Sequence, residues 1–345
     1  MATTLPLFSV FGAVLLAVYL RRKYTPQIVR IFEEKPLFII PRGKPADGAE
    51  EVRILTADDL ELSGCYLRTP APERRGVILF GLEFGSNRWS CVSYCEQLLA
   101  AGYDVFAFEP RGQGDSDVQP GYEPLQWVTD HDVKDVQAAL AYLKRRPDAD
   151  PRGIGLFGIS KGGTAGLIAA ATDPYVRCFA TDGIFATFPT MVPYMRKWIK
   201  IYSKQPHYRL LQWLLPSWFY EWVARSCIAL HQQQRACRYL DLEKVMGRLA
   251  PRPLLMIHGG ADTYIKPEMA EELFARARKP KEFWLVEGAK HNQAIQLAGA
   301  EYHRRLIEFF EAHLAVPRRP VRAPVADGDE VIAVRRRVVT AASEG

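Results

Sequence analysis

A chain of 345 residues that is 48% hydrophobic and 24% charged can bury a sizeable core, which excludes overall disorder and favours one elaborated domain. The formal net charge of +6 is inflated by the ends, through Arg21, Arg22 and Lys23 and through Arg318, Arg319, Arg322 and Arg335 to Arg337, so the nearly balanced body is not read as a nucleic-acid surface. The six cysteines, Cys65, Cys91, Cys95, Cys178, Cys227 and Cys237, have neither paired metal-type spacing nor the density of a disulfide framework, and free thiols in a reducing compartment are expected.

Residues 1–20 carry no charged side chain, and the apolar run from Leu5 to Leu20 ends on Arg21, Arg22 and Lys23. The order is wrong for a signal peptide, which has its basic segment first. It predicts a single membrane anchor over 1–23 with everything downstream on the cytoplasmic side. The alternative is a cytoplasmic protein whose first helix docks on the domain or lies at an interface. A linker over 24–50 follows, then a hairpin between Glu51 and Leu67 with a turn at Asp58 and Asp59.

From Gly76 onward the pattern repeats. Apolar strands at Val77–Phe80, Asp104–Phe108, Ile154–Phe157 and Val176–Thr181 alternate with helices at about Trp89–Ala101, Asp130–Leu143 and from Lys161. Buried strands alternating with amphipathic helices predict an α/β fold with a mostly parallel sheet covered on both faces. The rhythm breaks at 184–248, an aromatic and basic helical insert with Trp198, Tyr202, Tyr208, Trp213, Trp218, Phe219, Tyr220 and Trp222 beside Arg196, Lys197, Lys200 and Lys204. It reads as a lid whose aromatics face an apolar chain or a bilayer, or else form the lid's own core. A strand at Pro253–His258, a helix from Pro267 to Ala277, a strand at Phe283–Val286 and a closing helix to Leu314 complete the core, which thus occupies 51–183 and 249–315. The Pro- and Arg-rich tail over 316–345 lacks periodicity and is expected to be disordered.

Chemistry gathers around Gly158-Ile159-Ser160-Lys161-Gly162, where a strand meets a small-residue helix. A serine presented on so tight a turn needs neighbours without Cβ atoms. The hydroxyl also needs a base, itself oriented by a carboxylate. Asp262 follows one later strand in His258-Gly259-Gly260-Ala261-Asp262, and His291 follows the next in Ala289-Lys290-His291-Asn292. Ser160, Asp262 and His291 are therefore the expected catalytic residues, with Asp182, at the end of the strand after the serine helix, as reserve acid and His258 as a structural residue. Metal and organic cofactors are not called for.

With Arg111-Gly112-Gln113-Gly114-Asp115-Ser116 after a strand, these motifs make the stretch from Val52 to Leu314 resemble the α/β-hydrolase superfamily, as a serine esterase or lipase-like member. The resemblance implies an eight-stranded sheet, Ser160 as nucleophile, Asp262 orienting His291, and a lid over an acyl pocket. It also implies an oxyanion hole built from two backbone N–H groups. One is that of Lys161. For the other, the usual His-Gly is replaced by Phe80-Gly81-Leu82-Glu83-Phe84-Gly85, where Phe84 is preferred and Leu82 is the alternative. A lysine at a helix N-terminus opposes the helix dipole, so Glu83 is expected to pair with Lys161 and brace the loop.

The function expected is hydrolysis of an ester or related acyl bond, on a small-molecule or lipid acyl substrate, with no nucleic acid and no obligate protein partner. A thioesterase, serine peptidase or acyltransferase would use the same three residues, and a membrane-tethered binding protein without turnover is the alternative from another class.

Overall fold

The computed structural model describes residues 4–33, 40–202 and 215–315; the tail expected over 316–345, the insert residues Lys204, Tyr208 and Trp213, and the side chains of Trp198, Lys200 and Tyr202 lie outside what is described. The chain opens with a helix, α1 (Thr4–Glu33), followed by β1 (Glu50–Leu55), β2 (Glu61–Leu67), β3 (Gly76–Gly81), α2 (Cys91–Ala100), β4 (Tyr103–Phe108), α3 (Asp130–Arg145), β5 (Ile154–Ile159), α4 (Ser160–Ala170) and β6 (Val176–Asp182). Among the described residues, the helices α5 (Thr187–Tyr202) and α6 (Ser217–Arg235) stand between β6 and β7 (Leu254–Gly259). After them come α7 (Pro267–Arg276), β8 (Lys281–Val286), α8 (Ala294–Ala298) and α9 (Ala300–Phe310).

The eight strands form one sheet in the order β1-β2-β4-β3-β5-β6-β7-β8. β1 and β2 pair antiparallel, β2 joins β4 antiparallel, and every other pairing is parallel. β3 to β7 are buried along their whole length, as strands covered on both faces must be, whereas β1 alternates buried and exposed residues. One face is covered by α3, α4 and α7 through residues such as Val136, Leu140, Leu167 and Leu273; the other is covered by α2 and α9 through Leu98, Leu306 and Phe310. The chain moves outward from β3 in one direction to β4 and in the other to β5, so a crevice opens at the carboxyl ends of β3 and β5.

Loops beyond those strand ends are tied by buried charges. Arg111, fully buried, directs Nε and Nη2 at Asp135 Oδ1 (2.9 and 2.6 Å) and Nη1 at Asp58 Oδ2 (2.8 Å), joining the loop after β4 to α3 and to the β1–β2 turn. Gln113 Oε1 accepts from the Gly85 N–H (2.8 Å), and Glu109 accepts from the backbone N–H and guanidinium of Arg88, so the loop after β4 holds the loop after β3 in place.

The spanning anchor expected over 1–23 finds no support: among the described residues no helix is long and apolar enough to cross a membrane. The basic cluster does not end the segment. The helix runs on through Pro26 to Glu33 and seats Ile28, Val29 and Phe32 in a cluster with Trp127, Phe185 and Val223. Phe32 stacks on Trp127 at 4.8 Å, and Trp127 Nε1 donates to the Phe32 carbonyl. All six cysteines are free and buried.

Removing one member of a buried, hydrogen-bonded ion pair leaves the other charge uncompensated, at a cost of about 3–5 kcal/mol. Arg111→Ala strands the Asp135 carboxylate, and urea unfolding of the variant is expected to read a loss of that size.

Candidate active site

Ser160 stands at the junction of β5 and α4 with a φ of 49°, in the left-handed region that a side-chain-bearing residue enters only at a cost of about 1–3 kcal/mol. The turn is tight enough that two flanking positions exclude a Cβ. One on Gly158 would stand 2.3 Å from the Gly163 Cα, and one on Gly162 would stand 2.3 Å from the Leu82 carbonyl oxygen and 2.5 Å from the Leu82 nitrogen. The backbone at Gly81, which ends β3, and at Leu82 therefore lies directly against the first turn of α4.

Ser160, His291 and Asp262 are brought together from three strand ends. Ser160 Oγ lies 3.1 Å from His291 Nε2, and His291 Nδ1 lies 2.7 Å from Asp262 Oδ2. The other oxygen of Asp262 accepts from the Tyr264 and Ile265 N–H groups at 2.7 and 2.9 Å, which fixes the carboxylate and spreads its charge. His258 stands behind this chain, its Nε2 3.6 Å from Asp262 Oδ2. It is buried, bonds through Nε2 to the Ile265 carbonyl (2.8 Å) and so buttresses the Asp262 loop, and burial holds its pKa below the usual imidazole value. A hydroxyl, an imidazole and a fixed carboxylate in this sequence can pass the hydroxyl proton to the ring and hold the resulting imidazolium.

The sequence model of the Alpha/beta hydrolase family matches residues 81–305. The chain belongs to the alpha/beta hydrolase family. It is 24% identical over 270 residues to the uncharacterized protein YfhR of Escherichia coli, covering 76% of this chain and 80% of that one. It is 32% identical over 149 residues to the thiohydrolase apmlB of Arthrinium phaeospermum, covering 42% of this chain and 45% of the relative. Among solved structures it resembles the Pyrococcus furiosus esterase Pf2001, with a TM-score of 0.60 and 22% identity over 81% of this chain and 97% of the esterase.

The family's site is braced here in a way the sequence did not foretell. The expected Glu83–Lys161 pair is replaced by two separate arrangements. Lys161 Nζ stands 2.8 Å from Asp132 Oδ1, an ion pair by distance without the alignment of a hydrogen bond, and both side chains are buried. Asp132 is already placed by the start of α3, where its Oδ2 accepts from the Thr129 N–H (2.8 Å) and hydroxyl (3.0 Å). The ring of Phe84 lies 5.5 Å from Lys161 Nζ.

Glu83 turns the other way. Its Oε2 accepts from Asn292 Nδ2 at 2.6 Å and its Oε1 from the Tyr94 hydroxyl at 3.2 Å, and burial pushes its pKa up against both hydrogen bonds. Asn292 directly follows His291 and also occupies the left-handed region, with φ 55°. Thus the residue after Leu82 is tied to the residue after His291. Asp182 is kept from His291 Nδ1 by Asp262. It is buried, accepts from the Tyr302 hydroxyl at 3.0 Å, and burial pushes its pKa up to about 7. Tyr94, Tyr302, Asp132 and Asn292 were not foreseen as site residues. Asn292 was signalled by its place beside His291, and Asp132 by Thr129-x-x-Asp132, a helix-start pattern.

An aspartate ordinarily titrates at 3.8, so between about pH 4 and about pH 7 the folded chain holds a proton on Asp182 that the unfolded chain has released. That contribution to stability is full at the acid end and is lost as pH rises through the folded value. Asp182→Asn, which keeps an acceptor for Tyr302, is expected to flatten the fall in unfolding free energy over that window in urea titrations at stepped pH. An unchanged slope would show that Asp182 is not the group responsible.

Proposed function

We propose that the chain is a serine hydrolase that cleaves an ester or related acyl bond through an acyl-enzyme intermediate. The observation that carries this reading is the hydrogen-bonded sequence Ser160 Oγ, His291 Nε2, His291 Nδ1, Asp262 Oδ2, at 3.1 and 2.7 Å. Ser160 Oγ attacks the acyl carbonyl while His291 Nε2 takes its proton. The imidazolium is held by Asp262, whose second oxygen is committed to two backbone N–H groups and cannot swing away. Collapse of the tetrahedral intermediate breaks the bond to the leaving group, which receives the proton from His291. Water, deprotonated by the same ring, then frees the acid and restores Ser160.

The developing oxyanion is assigned to the N–H groups of Lys161 and Leu82. Lys161 opens α4, and Leu82 is favoured over Phe84 because its backbone is what meets Gly162. Losing one such donor typically costs about 2.7–4 kcal/mol in the transition state.

The helices α5 and α6 are read as a lid, and an apolar acyl group suits the aromatic and methionine side chains they bring near the β6 end, among them Phe188, Met191 and Met195. Several aromatics of the insert, Phe219 foremost, instead form its own core with α1. A thioester is the second reading, favoured by the likeness to a thiohydrolase. Both bonds present the same electrophilic carbonyl, and the leaving group alone differs.

A fluorophosphonate probe is expected to label the wild-type protein and leave Ser160→Ala unlabelled; equal labelling of the two, or none of either, rejects the reading. Asp262→Asn is expected to bind substrate with little change in KM while kcat falls about 10⁴-fold, because the ring loses its fixed tautomer. Steady-state kinetics on acyl esters and thioesters of graded chain length would measure this and rank the two leaving groups. Gly162→Ala is expected to lower kcat at least tenfold with the fold retained, since the added methyl must push Leu82 off the turn.

A further inference from the structure

α1 and α6 lie side by side and run in the same direction. Arg21 sits over the Trp222 ring at 4.5 Å, Cys227 Sγ donates to the Thr25 carbonyl at 3.6 Å, and Arg235 Nη2 reaches Glu33 Oε1 at 3.1 Å, so residue numbers rise together along the pair. This offset sets Leu15 and Leu16 level with Ser217 and Trp218, the first residues of α6. At that end the packing side of α1 is taken by Ala17 and Leu20, which join the cluster shared with α6. Val14, Leu15, Leu16 and Tyr19 remain more than half exposed, and so does Trp218.

Five large apolar or aromatic side chains where α1 passes the start of α6 make a surface that a chain alone in water would be expected to cover. The cations around it indicate with what. Arg22 and Lys23 are exposed on the next turn of α1, and Arg196 and Lys197 are exposed on α5, where Arg196 Nη2 donates to Ser217 Oγ at 3.0 Å, beside Trp218. Apolar tips, a tryptophan and a tyrosine, and a collar of arginine and lysine are the chemistry of a surface that enters the boundary of an anionic bilayer.

We propose that this end of the α1–α6 pair is a docking surface for an anionic phospholipid bilayer, on which the protein lies without crossing. The apolar tips enter the headgroup and upper acyl region, and the collar meets lipid phosphates. Of the two docked helices, α6 belongs to the insert between β6 and β7, so the surface would bring that insert to the bilayer. The inference concerns binding and does not depend on the hydrolase reading.

Flotation of the full-length protein with vesicles of phosphatidylcholine alone, and of phosphatidylcholine with phosphatidylglycerol, tests it. The expected result is flotation with the anionic vesicles, release by alkaline carbonate, and a partition coefficient lowered about a hundredfold in R21E/R22E/K23E. L15D/L16D is expected to abolish flotation while near-UV circular dichroism and fluorophosphonate labelling stay at wild-type levels. W218A, beside Leu16 but on the other helix, is expected to weaken flotation with the thermal unfolding midpoint unchanged, which guards against misfolding of the α1 variants. Four outcomes overturn the proposal: no flotation with either vesicle, equal flotation of the charge-reversed variant, resistance to carbonate as for a spanning helix, or a concentration-dependent dimer dissolved by L15D/L16D, which would make a second copy the occupant.

Discussion

The contact on which the site depends is between backbones. Gly162, in the first turn of α4, presses against Gly81 and Leu82 at the end of β3 so closely that no side-chain carbon fits between them. Parallel pairing of β3 with β5, with Gly81 beside Gly158, delivers the two segments to that approach. The distance decides the rest: it sets where the Leu82 N–H can lie relative to Ser160, and it makes the left-handed turn at Ser160 the means by which the chain leaves the sheet. Strain at that residue is over-determined by packing on both sides.

Around this contact the strand-end loops hold one another rather than leaning on the sheet alone. The loop after β4 supports the loop after β3 through Gln113 and Glu109; the loop after β3 reaches the loop after β8 through Glu83 and Asn292; and the loop after β7 presents Asp262 to His291. Most of these groups are buried, where each hydrogen bond is stronger than in water and each missing partner dearer. Burial raises the proton affinity of both Glu83 and Asp182, and the nearby Glu83 carboxyl adds to the rise at Asp182. The site is consequently a region of high proton affinity on one side and, at Lys161 and Asp132, of balanced charge on the other.

What the sequence made legible was what depends on local pattern. Apolar runs from Val77, Asp104, Ile154 and Val176 identified the parallel strands because strands buried on both faces need such runs, and glycines at 158 and 162 marked the turn because only glycine fits. Ser160, Asp262 and His291 were legible because a parallel sheet puts successive strand ends on one edge. Side-chain partners across loops were not. Glu83 and Lys161 are close to the same strand ends, yet Asn292, 209 residues from Glu83, and Asp132, on the helix that precedes the serine strand, win the contacts through approaches that no spacing rule encodes. The first helix was misjudged because Arg21, Arg22 and Lys23 looked like a boundary; they are a band on a helix that continues to Glu33 and docks.

Asp132 joins two roles that are usually separate. Its one carboxylate closes the start of α3 through Thr129 and faces the ammonium of the residue that follows Ser160. Fraying of the first turn of α3 and loosening of the turn that presents the serine are thereby a single opening event, and amide hydrogens at the two places should exchange with a common free energy although they belong to different helices. The local stability of a helix end has become a property of the site.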